Sequence, residues 1–400
     1  MQNLITIDSL IIIESFFITF FLLLILPPVA KKIGHTDSPS SRKKHAGEVP
    51  LVGGLSIFFC LLILYYWLPI KNHAYILAAS LIVICGTIDD NRELGAKVRI
   101  FVEMIAAVIM IKWGGIEINN LGNLFGFGDV PLGKFSSIFT AFAIIGGINA
   151  FNMLDGIDGL AGSLALLVFI LIFIIALNTP EIISLCLLFI SAIIAFLLFN
   201  LRIFGRKKAS IFLGDTGSML FGFTISCLLI EASQENKNII SPITVLWIIA
   251  IPLFDSISIM IRRIRKGQSP FAPDREHFHH ILLLAGYSVN QTVGIILLIA
   301  FTAGSFGILG DRLFNLPEWL MFYIFISLFY LYYWGMTHSW KLMKLARYLR
   351  EHNQDRRKIK RRQKILAYTG QNRRISSDRR SGKERRYHDI KKEIFKERRL

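Results

Sequence analysis

The sequence predicts an all-α polytopic membrane protein. Three observations carry that prediction: apolar runs of membrane length recur, charged residues are scarce, and no segment alternates apolar and polar residues over ten positions as a barrel requires. Of 400 residues, 53% are hydrophobic and 18% charged, with a mean hydropathy of +0.52. A soluble chain carries about a quarter charged residues and interrupts its apolar runs more often.

Eleven spans are expected, at 9–30, 51–68, 74–88, 98–112, 135–150, 160–177, 182–200, 213–230, 239–261, 290–309 and 317–336. The first has no Lys or Arg before it and no small-residue cleavage site after it, so it reads as a retained helix rather than a signal peptide. An odd span count puts the termini on opposite sides. Loops 31–50, 89–99, 149–160, 201–212 and 262–289, with the tail, then hold 40 of the 45 Lys and Arg residues. Without the tail the ratio is still 17 to 5. The positive-inside rule therefore predicts an outside N-terminus and a cytoplasmic C-terminus. The location expected is a bacterial inner membrane, with the motif-bearing loops on its cytoplasmic face.

The chain divides into a membrane domain, 1–336, and a basic tail, 337–400. The tail holds 23 Lys and Arg against 7 Asp and Glu, so it supplies nearly all of the net charge of +17. It is too poor in apolar residues to fold alone and is expected to be partly disordered. Attraction to anionic lipid explains it best, and without interleaved aromatic residues it gives no nucleic-acid signal. Cys60, Cys85, Cys186 and Cys227 all fall in apolar segments and read as packing residues.

The chemistry-bearing residues gather in the cytoplasmic loops. Loop three, Asn149–Leu160, has no positive charge but two carboxylates, Asp155 and Asp158. Three residues apart, they share a face of a helical turn, and Gly156 and Gly159 leave the backbone open to a ligand. Uncompensated acids at a membrane surface suggest a divalent cation, with hard oxygen ligands favouring Mg2+ over zinc. Asp158 could instead cap the sixth span. Asp89 and Asp90 end the third span, where Arg92, Lys97 and Arg99 could neutralise them. Gly214-Asp215-Thr216-Gly217-Ser218 opens the eighth, where free N–H groups could receive phosphate. His277, His279 and His280 sit among basic residues without a zinc pattern, so phosphate binding or proton transfer fits them better. Together these loops suit a phosphate-rich substrate and metal-assisted phosphoryl transfer, with a lipid as the second partner.

Two acids fall inside expected spans, Glu103 and Asp255, where an ionised group costs about 2.5–3.5 kcal/mol on insertion scales. Asp255 could line the site or make an interhelical hydrogen bond. Most other acids lie at span ends on one side, which argues against a secondary transporter of an anionic solute; such proteins place charge near the midplane in broken helices. A scaffold or receptor does not require this concentration of acids and histidines.

Five motifs in this order resemble the polyprenyl-phosphate N-acetylhexosamine-1-phosphate transferase family, over about Leu26–Met336, and most closely its WecA-type branch. The resemblance implies transfer of N-acetylglucosamine 1-phosphate from UDP-N-acetylglucosamine to undecaprenyl phosphate with release of UMP, an early step towards an O-antigen-like polymer. It also implies Mg2+, with Mn2+ as an alternative, and is compatible with a homo-oligomer. Asp89 and Asp90 match the family's aspartate pair near the lipid phosphate. Asn152 and Asp215 match positions associated with the metal, and Asp155 and Asp158 match carboxylates that hold the nucleotide sugar or support catalysis. His277, His279 and His280 match the element beside the UDP-sugar diphosphate. Arg42, Lys44 and His45 match the basic first loop, expected to contact phosphate, and Arg265 is a further candidate for the nucleotide. The chain departs from many relatives in having Glu93 where a third Asp follows the pair. His-Phe-His-His and Leu51-Val52 favour the N-acetylglucosamine branch over the muramoyl-pentapeptide branch, which leaves a sibling that uses another UDP-N-acetylhexosamine as the nearest alternative.

Overall fold

The computed structural model describes residues 2–37, 48–68, 72–203, 205–206, 208–234, 239–270, 277–338 and 343. All lie within the compact unit Met1–Met343. The chain from Lys344 to Leu400, with most of the basic tail, falls outside the described residues, and so do Arg42, Lys44 and His45.

Thirteen α-helices follow one another: α1 (Gln2–Ile33), α2 (Gly53–Leu64), α3 (His73–Arg92), α4 (Ala96–Lys112), α5 (Ser136–Leu154), α6 (Leu160–Ile175), α7 (Pro180–Asn200), α8 (Gly214–Ser233), α9 (Pro242–Ile248), α10 (Ala250–Arg265), α11 (Phe278–Leu284), α12 (Val289–Arg312) and α13 (Glu318–Thr337). A two-residue antiparallel ribbon, β1 (Thr36–Asp37) with β2 (Val49–Pro50), closes the base of the first loop. A helix lies within each of the eleven expected segments. Seven of the described helices are long and apolar enough to cross a membrane, namely α1, α3, α5, α7, α8, α12 and α13, and the bent pair α9 and α10 makes an eighth. The protein is thus a helical, polytopic membrane protein. Helices α2 and α6 are apolar but only 12 and 16 residues long.

The ninth segment differs from the continuous span expected. It breaks at Ile249, and its halves α9 and α10 meet at 80°. Pro252 supplies the local reason: with no N–H it cannot bond to the carbonyl of Ile248, whereas in the first turn of a new helix that N–H is not needed.

Helix α8 is the hub of the bundle, packing against α2, α3, α5 and α6. Its membrane-length window is 94% buried within the protein, against 22% for α1 and 17% for α13, which leave most of their apolar surface for lipid. Lipid supplies no hydrophobic drive for helix association, so close packing through small residues takes its place. A side chain on Gly54 of α2 would sit 2.3 Å from the Gly217 nitrogen of α8. One on Gly86 of α3 would sit 2.5 Å from the Thr216 Cα. This contact brings the last turn of α3, with Asp89 and Asp90, onto the first turn of α8.

Candidate active site

The aspartate pair at the end of α3 divides its work. Asp89 is buried. One of its oxygens pairs with Arg99 Nη1 of α4 at 2.8 Å, and the other accepts the Leu94 N–H at 2.5 Å. Its carboxylate holds the turn from α3 into α4, where Glu93 takes a left-handed conformation with φ of 45°. Asp90 faces the other way. Its Oδ1 accepts the Asp215 N–H at 2.7 Å, and its Oδ2 accepts the Thr216 N–H at 3.2 Å and the Thr216 hydroxyl at 2.7 Å. The amides that open α8 are therefore occupied by a carboxylate of the same chain rather than free for phosphate, and the positive helix end stabilises that carboxylate. Gly214 completes the fit: it has φ of 76°, and a Cβ there would meet Asp90 Oδ2 at 2.6 Å.

Asn152, in the last turn of α5, donates from Nδ2 to Asp215 Oδ1 at 2.8 Å and to the Ser218 hydroxyl at 3.1 Å. Among the described residues the amide oxygen of Asn152 and Asp215 Oδ2 accept no hydrogen bond. Two hard oxygen donors side by side fit Mg2+, which keeps waters and substrate phosphates in the rest of its shell. Among the described residues no three His, Cys, Asp or Glu side chains form a ready-made metal cluster.

Asp155 ends α5 and keeps some contact with solvent. Desolvation pushes its carboxyl well above the usual carboxylate range, and the nearby charges of Asp215, Asp90 and Asp158 push it further in the same direction. Asp158 does not cap α6, whose N-cap is Gly159 with no side-chain bond. Its Oδ2 takes Arg202 Nε at 2.7 Å and the Ala209 N–H at 3.0 Å. That tie, with Asn200 Oδ1 accepting the Gly159 N–H at 2.8 Å, fastens loop three to the segment after α7.

The histidines reach the same turn. His279 is fully buried, and a side chain on Gly156 would lie 2.3 Å from its Nε2. Neither ring nitrogen has a hydrogen-bond partner among the described residues. Burial, reinforced by His280 and His277, lowers its pKa to about 3, so the ring is neutral at physiological pH. His277 pairs through Nδ1 with Asp255 Oδ2 at 2.7 Å, and its ring centroid lies 5.4 Å from that of His279 at an interplanar angle of 12°. Arg265 donates to the Tyr333 hydroxyl at 2.6 Å and lies over its ring. A cavity of about 670 Å³ near His73, Trp113 and Glu231 lies at the opposite end of α3 from Asp90 and contains none of these groups.

Residues 72–233, which include the aspartate pair, loop three and the start of α8, match the model for glycosyl transferase family 4. The chain is 38% identical over 354 residues to the undecaprenyl-phosphate alpha-N-acetylglucosaminyl 1-phosphate transferase of Escherichia coli strain K12, a match covering 86% of this chain and 95% of the relative. Relatives of the same name from Yersinia pestis and Pasteurella multocida are each 39% identical, covering 86% and 85% of this chain and 96% of theirs. The chain belongs to glycosyl transferase family 4.

Several residues that shape this candidate site were not singled out from sequence. Arg202 counts towards membrane orientation yet pairs with Asp158, and Thr216 looks like a helix-start residue yet binds Asp90. His35 is buried and bridges Asn91 Oδ1 at 2.9 Å and the Leu51 carbonyl at 2.8 Å, so it ties the base of loop one to α3. No motif marks it in the sequence.

Proposed function

We propose that this protein transfers N-acetylglucosamine 1-phosphate from UDP-N-acetylglucosamine to undecaprenyl phosphate and releases UMP, in the presence of Mg2+. The phosphorus bearing the sugar gains an oxygen of the lipid phosphate and loses the oxygen that leaves with UMP. The observation that carries this reading is the convergence of Asp90, Asn152, Asp155 and Asp215 at one end of the bundle, with His279 seated against Gly156. The names of the relatives agree with it.

Each group has a task. Asn152 and Asp215 would hold a Mg2+ ion, which would supply charge neutralisation for the diphosphate. Asp155, its proton retained by burial and then by its acidic neighbours, is suited to donate a hydrogen bond to a substrate oxygen. The neutral ring of His279 can donate to a phosphate oxygen at small desolvation cost. Asp90 orients the start of α8, while Asp89 and Asp158, through Arg99 and Arg202, hold the turns that present the site. Arg42, Lys44 and His45 provide the positive charge that the acidic centre needs when two anionic substrates arrive. In the membrane we assign eleven crossings, an outside N-terminus and a cytoplasmic site at the inner membrane. The excess of Lys and Arg in the site-bearing loops supports that orientation.

Membranes containing the protein, UDP-N-acetylglucosamine, undecaprenyl phosphate and Mg2+ are expected to release UMP, and Asp215→Asn is expected to remove nearly all of it. No release with any UDP-N-acetylhexosamine, or full activity in the variant, would refute the assignment. The same assay across UDP-sugars fixes the donor.

A further inference from the structure

We propose that Asp255 is a positioning residue for the histidine segment, setting the plane of His279 through His277. Asp255 is fully buried in α10, just beyond the break at Ile249. Its two oxygens receive donors from separate parts of the chain. Oδ2 takes His277 Nδ1 at 2.7 Å, while Oδ1 takes the Phe278 N–H and the Tyr332 hydroxyl of α13, both at 2.9 Å. Three donors satisfy this buried carboxylate, and withdrawing any one leaves a buried acceptor short of a partner.

Two consequences follow for the histidines. The helix α11 begins at Phe278 with no cap from its own N-cap side chain, and Asp255 supplies that cap from across the fold. The Nδ1–H of His277 is committed to a carboxylate, so only Nε2 remains to serve a ligand. His279 has no polar partner of its own among the described residues, so its orientation comes from packing. Its Nε2 edge meets Gly156, and two rings pack against it: His280, with centroids 4.2 Å apart and tilted by 50°, and the nearly parallel ring of His277. The chain of placement therefore runs from Tyr332 and Asp255 to His277, then to His279 and the Asp155–Gly156 turn. Phe278 packs edge-on against Tyr332 at 5.7 Å, which closes the cluster.

The kinetic part of the test rests on the donor reading above, and the labelling part does not. In Asp255→Asn one of the two acceptor oxygens becomes an NH2 group, so at least one donor loses its partner. The KM for UDP-N-acetylglucosamine is expected to rise about tenfold, while the KM for undecaprenyl phosphate stays within about twofold. Tyr332→Phe, which removes a single donor, is expected to raise the same KM about two- to threefold. Independently of activity, carbethoxylation of purified protein by diethyl pyrocarbonate, read by peptide mass spectrometry, is expected to increase at His279 about fivefold in Asp255→Asn. His35, buried elsewhere, is expected to stay at its wild-type level. Unchanged His279 labelling in Asp255→Asn would overturn the proposal, as would equal changes in both KM values. If His35 is also labelled, Asp255→Asn has unfolded and Tyr332→Phe decides: no increase at His279 in that variant overturns the proposal. Absence of UMP release by the wild type would defeat the donor reading alone.

Discussion

Asp90 closes the N-terminus of the helix that carries Asp215, with its Oδ1 2.7 Å from the Asp215 nitrogen. The two carboxylates are thereby held in register by a backbone contact. Asp90→Asn leaves one acceptor oxygen for three donors. A lost helix cap costs about 0.5–2 kcal/mol. We expect the melting temperature in detergent to fall by a few degrees and UMP release to fall at least a hundredfold. Thr216→Val, which removes only the hydroxyl donor to Asp90, is expected to cost about tenfold or less, measured in the same assay.

Gly156 and His279 are in direct contact, so Gly156→Ala forces the ring to move: the added methyl would lie 2.3 Å from Nε2. We expect UMP release to drop at least tenfold. Gly146→Ala, where a Cβ meets nothing within 4 Å, is expected to retain wild-type activity.

The raised pKa of Asp155 has a definite sign for stability. The unfolded chain ionises this group near pH 4, while the folded chain keeps its proton to higher pH. Its contribution is therefore fully present below pH 4 and is lost as pH rises towards the folded value. Asp155→Asn removes the penalty. Melting of the metal-free variant at pH 8 is expected to occur a few degrees above wild type, while UMP release is nearly abolished.

His279 acts in the opposite direction. Its folded pKa of about 3 lies below the unfolded value of 6.5, so its contribution is present above pH 6.5 and is lost progressively on acidification. The penalty grows by about 1.4 kcal/mol per pH unit below 6.5. Thermal melting between pH 7 and pH 5 is expected to show a shallower decline in His279→Gln than in wild type.

Asp158 and Arg202 form a partly exposed pair, with side chains 11% and 34% accessible, so screening limits its value to about 1 kcal/mol. Arg202→Gln and Asp158→Asn are each expected to slow UMP release. If the pair acts as a unit, the double variant will be no slower than the worse single one. Multiplicative losses would show that the two residues act independently.

The helices were legible in the sequence because hydrocarbon thickness imposes run length, and the eleven apolar segments each contain a helix. The break at Ile249 was not legible, since proline is tolerated within apolar spans when neighbours satisfy the backbone, and hydropathy alone does not register it. The candidate site residues stand out in the sequence by their clustering in loops, but the contacts that Asp89, Asp90 and Asp158 make were hidden. Whether Asp89 or Asp90 faces α8 depends on the contact of Gly86 with Thr216, a packing detail between segments about 130 positions apart. Tyr332 gave no signal, because one tyrosine in an aromatic span looks like any other. His35 and Arg202 carry charge or polarity whose partners only the fold reveals.

Helix α8 carries Asp215 in its first turn and is the most enclosed of the membrane-length helices described. The same twenty residues therefore answer to two demands, and a change that serves one is constrained by the other. Laboratory evolution towards a new sugar has little room there. Productive variation is expected at the start of α11, around His277, while α1 and α13, which leave most of their surface for lipid, can drift in composition and keep only their apolar character.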